Sequence, residues 1–185
     1  MRNLALILAC CAACAVLVAS ARAAAVTVNG TVTAGATLSV APNGAPSFNL
    51  TLNGVDQTAT YTLPVSVIDA RGLSAGGGWN LTVTSTQFND GSGHTFPAAA
   101  STITGVTTVC GANSTCTLPT NNVVNTNLTV PAAAVAPAAV KFENGATATG
   151  LGTTNVNATV SVGVPANVFA GAYSSTVTVS IVAGP

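Results

Sequence analysis

His94 is the one histidine of this 185-residue chain, and it closes the glycine-rich stretch Phe88-Asn89-Asp90-Gly91-Ser92-Gly93-His94. Hydrolytic chemistry needs a nucleophile paired with a base, or two carboxylates at a workable separation. His94, a serine and a distant aspartate would satisfy the first requirement, but no G-x-S-x-G or comparable elbow accompanies them. Asn89, Asp90 and His94 also hint at a cation. A calcium site wants more carboxylates than this loop supplies, and a zinc site wants further soft ligands. No catalytic residue, metal ligand or cofactor is therefore expected. A second charged spot, Asp69-Ala70-Arg71-Gly72, places two opposite charges two residues apart at a strand end, on the same side. A pair there serves structure, fixing the loop that leads to the single tryptophan, Trp79.

The five cysteines divide by position. Cys10, Cys11 and Cys14 fall in the apolar run Leu4 to Ala19, which follows Arg2 and ends in Ala21-Arg22-Ala23. A positive start, an apolar stretch and small residues at the end are the marks of a signal peptide over residues 1–23, cleaved after Ala23 or alternatively after Ala25. The run continues past each cysteine, which argues against lipoprotein anchoring. It is also shorter than a membrane-spanning helix, so the mature chain is expected to carry no transmembrane segment. Export leaves Cys110 and Cys116, which bracket the bendable loop CGANSTC. In an oxidising exterior this pair is expected to form a local disulfide.

Only 4% of the residues are charged, against about 25% in ordinary soluble domains. Without the leader, Arg71 and Lys141 face Asp56, Asp69, Asp90 and Glu143. Such a chain cannot neutralise a phosphate backbone, which excludes nucleic acid as a partner. Its surface must be wetted by Thr, Ser and Asn, and copies repel one another weakly, which favours self-association or docking on a neutral polymer. Six N-x-S/T sequons, at Asn29, Asn49, Asn80, Asn113, Asn127 and Asn157, are the expected by-product of this composition.

The elements that carry these residues are read from a period of two. Val26–Asn29, Thr37–Val40, Phe48–Leu52, Tyr61–Ile68, Trp79–Phe88, Thr102–Cys110, Asn127–Val130, Val140–Phe142, Val156–Val164 and Tyr173–Val182 alternate apolar with Thr, Ser or Asn. Gly, Pro and Asn cluster between them. The alanine-rich pieces at Pro97–Ala100 and Pro131–Ala139 are too short and too broken by proline for helices, and read as loops or edge segments. About ten strands with no substantial helix after the leader predict one all-β domain over residues 24–185, an immunoglobulin-like β-sandwich or alternatively a closed β-barrel.

Three stretches in order then resemble a known family. Asp69-Ala70-Arg71-Gly72 precedes Gly78-Trp79-Asn80-Leu81, and Gly171-Ala172-Tyr173 precedes the closing strand with Val179 and Ile181. This set resembles the WxL-type cell-surface domain of bacteria: a D-x-R-G stretch, a first W-x-L at Trp79 and Leu81, a late G-x-Y, and a second W-x-L. The second motif falls on Val179 and Ile181, so its tryptophan is replaced. The resemblance implies an exported β-sandwich at the cell surface that attaches non-covalently to the wall through peptidoglycan, or to other envelope proteins. Trp79, Leu81 and Val83 share one strand face, and the indole is expected to be buried there rather than offered to a ligand. The alternatives are a self-assembling extracellular subunit, with the alternating segment Ala25 to Val32 adding to a neighbour's sheet, and an enzyme on wall polymers relying on His94 or the acids.

Overall fold

A computed structural model of the chain describes residues 27–72 and 77–184, so the expected leader lies outside the described residues. The chain divides into two units, Met1–Val32 and Thr33–Pro185. In the first, the described residues 27–32 form no strand, and Val28 and Val32 are 88% and 99% exposed. The second unit is all-β. Its strands are β1 (Leu38–Pro42), β2 (Gln57–Asp69), β3 (Trp79–Thr86), β4 (Ser101–Cys110), β5 (Leu128–Thr129), β6 (Ala132–Ala133), β7 (Val140–Gly145), β8 (Gly152–Val164) and β9 (Val177–Ala183).

They form two sheets. One has the order β1-β2-β8-β4-β5, antiparallel throughout. In the other, β3 is central, with β9 antiparallel along one side and β7 (antiparallel) and β6 (parallel) along the other. Two separate sheets make a β-sandwich and not the closed barrel. Alternation explains the layers. On β2, Leu63, Val65 and Val67 point inward, and the register sets Val65 opposite Val156 and Leu63 opposite Ala158 of β8. Trp79, Leu81 and Val83 of β3 cover them from the second sheet, with Ile103 of β4 and Phe142 of β7 completing a core that excludes water.

Two expected strands are corrected. Thr27–Asn29, the described part of the Val26–Asn29 run, pairs with nothing, and Phe48–Leu52 forms no ladder. In the latter the alternation is real: Phe48, Leu50 and Leu52 are half-buried, while Asn49 and Thr51 are exposed. Period-two patterning reports which face packs, and pairing requires a partner backbone that this segment lacks. The closing run also pairs later than expected: β9 begins at Val177, and Tyr173–Thr176 contributes an isolated bridge at Ser174 and the bond from the Thr86 N–H to the Thr176 carbonyl. Within the expected edge segment Pro131–Ala139, Ala132–Ala133 pairs with Ser85 and Thr86 at the margin of the smaller sheet.

Cys110 and Cys116 are bonded in the structure, Sγ to Sγ at 2.02 Å. The loop they close leans on the start of β8, where the Thr153 N–H donates to Ser114 Oγ at 3.0 Å and Thr117 bridges Leu151. Closing so short a loop restricts the unfolded chain modestly. Replacing both cysteines by serine is expected to lower the free energy of unfolding by about 2 kcal/mol, read from urea denaturation.

Candidate functional site

At the end of the sandwich where β2 finishes and β3 begins, the motif residues form one connected group. Asp69 is the last inward-facing residue of β2 and is 2% exposed. Its carboxylate accepts the Arg71 guanidinium in two bonds, Nε to Oδ1 at 2.9 Å and Nη2 to Oδ2 at 2.7 Å, and Oδ1 also accepts the Arg71 N–H at 3.1 Å. The same Nη2 donates to the carbonyl of Gly78 at 2.7 Å, the residue before Trp79. Arg71 thereby links the end of one sheet to the start of the other. Burial alone would raise the Asp69 pKa, but the hydrogen bonds and charge of Arg71 outweigh it and hold the carboxyl below the usual carboxylate range.

Trp79 is completely buried. Its indole N–H donates to the Gly150 carbonyl at 3.1 Å, in the β7–β8 connection. The ring lies against Gly145 and Gly150. A Cβ on Gly145 would sit 2.9 Å from the ring, and one on Gly150, whose φ is +70°, would overlap the indole. Beside this slot, Glu143 and Asn144 of β7 are also buried. Burial pushes the Glu143 carboxyl above the usual range, against the Asn125 Nδ2 that donates to Oε2 at 3.0 Å.

The opposite end carries a groove of about 820 Å³ between the segments 46–52 and 168–177. Six of the eight aromatic side chains line it: Phe48, Tyr61, Phe88, Phe96, Phe169 and Tyr173. Phe48 stacks on Tyr61 with centroids 6.3 Å apart, and Phe96 lies 4.4 Å from Tyr173. Burial pushes the Tyr61 hydroxyl up to about 12. No charged residue lines the groove. At its margin His94 stacks on Phe169 at 3.9 Å, and its Nδ1 meets Asp90 Oδ2 at 2.6 Å. The His94 hydrogen bond is the chief influence holding the Asp90 carboxyl below its usual range. Among the described residues no serine or threonine hydroxyl bonds to this ring, and no group of three metal-ligating side chains occurs.

The outward face of the five-stranded sheet is a third feature. Thr58, Thr60 and Thr62 on β2 lie beside Ser161 and Thr159 on β8, with Thr60 opposite Ser161 and Thr62 opposite Thr159, and Thr102 of β4 flanks Ser161 from the other side. Asn155 and Asn157 extend the β8 row. Among the described residues no charged side chain stands at an outward position of β2, β4 or β8, and the exposed Asp56 precedes β2 at the margin of this face.

The family described as "WxL domain surface cell wall-binding" matches residues 25–185. The chain belongs to the WxL family. No curated protein and no solved structure matches it. Membership supports a cell-surface, wall-associated protein, and no helix among the described residues is long and apolar enough to cross a membrane.

Against the WxL signature, the structure brings Asp69, Arg71, Trp79 and Leu81 together at one end, with Gly72 following directly. Val179 and Ile181 on β9 stand opposite Val83 and Leu81 in the ladder, so the two motif stretches are neighbours. Tyr173 lies apart at the aromatic end, where its hydroxyl donates to the Phe169 carbonyl at 3.0 Å. Sequence reasoning missed Gly145 and Gly150 as the walls of the indole slot, and it missed the groove. A cue for the second was available, since Phe48, Phe88, Phe96 and Phe169 all fall outside the nine strands or at their ends.

The two buried acids predict opposite pH behaviour. Asp69 has a depressed pKa when folded, so its contribution is present above the unfolded value and is lost as the pH falls. Asp69→Asn is expected to melt below the parent at neutral pH, with the gap closing below about pH 4. Glu143 has a raised pKa, so its ionisation costs stability as the pH rises. Glu143→Gln is expected to melt at or above the parent at neutral pH, with the advantage vanishing below about pH 4. Thermal unfolding across pH checks both.

Proposed function

We propose that this WxL protein is a non-catalytic surface protein that associates with peptidoglycan through the uncharged outward face of its five-stranded sheet. The observation that carries this reading is the chemistry of that face: rows of hydroxyls and amides in strand register, with no ionic group. Such groups can exchange water for the hydroxyls and acetamides of the uncharged glycan strand without stripping the shell from an ion, which is the costly step in burying polar surface. Repetition along the strands suits a repeating polymer, where many weak contacts add. Trp79 is enclosed, so the signature tryptophan acts by holding the sandwich shut and makes no direct contact with the wall. A non-catalytic role is supported at His94, whose side-chain partners are Asp90 of its own loop and the Phe169 ring, with no nucleophile bonded to it.

Co-sedimentation with purified peptidoglycan tests the proposal. The parent chain is expected to pellet with it. Thr62→Glu combined with Thr159→Glu, two solvent-facing residues directly opposite each other, is expected to cut the bound fraction several-fold while leaving the melting temperature within a few degrees. Trp79→Ala is expected to lower stability by about 3–5 kcal/mol, with binding lost only in proportion to the unfolded fraction. Full binding by the double-glutamate variant would overturn the assignment to this face.

A further inference from the structure

Among the described residues, the groove at the aromatic end is flanked by two stretches of backbone that each leave groups without a backbone partner. On one wall, residues 46–52 alternate half-buried with exposed positions, and among the described residues none of their N–H or C=O groups bonds to another backbone group, though the Thr51 carbonyl accepts Gln57 Nε2 at 3.2 Å. On the other wall, Ser174 exchanges both backbone bonds with Asn89, at 2.9 and 3.0 Å, and the Thr176 carbonyl accepts the Thr86 N–H at 2.9 Å. Backbone groups alternate in direction along an extended chain, so Tyr173, Ser175 and Val177 turn theirs away from β3. Unpaired extended backbones on both sides of an apolar slot are what strand addition requires.

The chain also carries a strand pattern without a sheet. From Thr27 to Thr33, Val28, Gly30 and Val32 fall on one face and Thr27, Asn29, Thr31 and Thr33 on the other. Val28 and Val32 are almost fully exposed. Neither this segment nor the groove bears a charge, so joining them desolvates no ion and meets no repulsion.

We infer that the segment Thr27–Thr33 of one copy inserts as a strand into the aromatic groove of a second copy. The partner is another copy because of where the segment is tethered. The Gly35 N–H donates to the Ala70 carbonyl at 2.7 Å, at the motif end of the sandwich. From Asp69 back to Tyr61 at the groove, β2 runs eight residues, about 26 Å. Val32, three residues from Gly35, can reach about 10 Å, and Val28, seven residues away, about 24 Å, so neither apolar residue of the segment attains Tyr61. A segment leaving one end cannot fill the groove at the other end of its own sandwich. Joining end to end is a head-to-tail contact that does not close on itself, so it propagates into linear chains of subunits. This inference goes beyond wall association and does not depend on it.

The exported chain, followed by sedimentation velocity over rising concentration, is expected to form a ladder of oligomers. Two variants each disable one half. Val28→Asp with Val32→Asp spoils the donor at exposed sites, and Ala172→Trp fills the groove from an exposed lining position. Each alone is expected to be monomeric with an unchanged melting temperature. Mixed in equal amounts, they are expected to yield dimers and stop there, since one supplies the only intact donor and the other the only intact groove. Should Ala172→Trp misfold, Ala170→Trp fills the same groove. A parent chain that stays monomeric at about millimolar concentration, oligomers that survive both variants, or a mixture that gives no dimer would each overturn the inference. Peptidoglycan co-sedimentation of the monomeric variants reads the wall contact separately.

Discussion

The enclosed indole of Trp79 is the contact on which the sandwich depends. Trp79 opens β3, in one sheet, yet its N–H is satisfied by Gly150, in the connection between β7 of the same sheet and β8 of the other. A large flat ring can enter there only because Gly145 and Gly150 present no side chain. Arg71 adds a second tie at the same end, from Asp69 on β2 to the Gly78 carbonyl just before the ring. The Arg71 tie runs from a strand of one sheet to the start of the other, and the indole bond fixes the connection that leads between them. The hydrophobic faces of two sheets pack without fixing their relative position, whereas these directed hydrogen bonds specify one arrangement at this end.

The scarcity of charge shapes the rest. With few ionic groups available, those that are buried carry directed bonds: Asp69 with Arg71, and Glu143 with Asn125. The polar part of the remaining surface is mostly hydroxyl and amide, interrupted by exposed apolar side chains such as Val124, Val135 and Phe169, and it wets the protein without repelling its copies. Edges that other proteins protect with lysine or proline stand here without charge, β9 among them, with Val177–Ala183 bare of ionic residues.

The core strands were legible because their signal is local. Val156–Val164 and Trp79 to Thr86 alternate cleanly and have β-branched inward faces, and both appear as strands in the structure. The burial of Trp79 was legible for the same reason, since Leu81 and Val83 extend its face. What was not legible depends on distant chain. Phe48–Leu52 has the same pattern as a strand and packs its apolar face, but among the described residues it makes no backbone–backbone hydrogen bond. The indole slot is built by glycines more than sixty residues beyond the tryptophan, and a glycine in a sequence does not say which ring it makes room for. The groove likewise assembles aromatic residues from three separate connections.

The replaced tryptophan of the second motif can now be weighed physically. Val179 lies opposite Val83, two ladder positions from Leu81, and is half-buried on a strand whose other side has no hydrogen-bonded neighbour. It contributes nothing to the indole slot, whose walls come from Gly145 and Gly150 and whose acceptor is the Gly150 carbonyl. A valine there preserves what the ladder needs, a β-branched apolar residue packed beside Leu81 and Val83. The first motif is therefore structurally complete without the second. In this chain the D-x-R-G and first W-x-L stretches close one end of the sandwich from within, whereas the G-x-Y stretch, Gly171-Ala172-Tyr173, lines the groove at the other end.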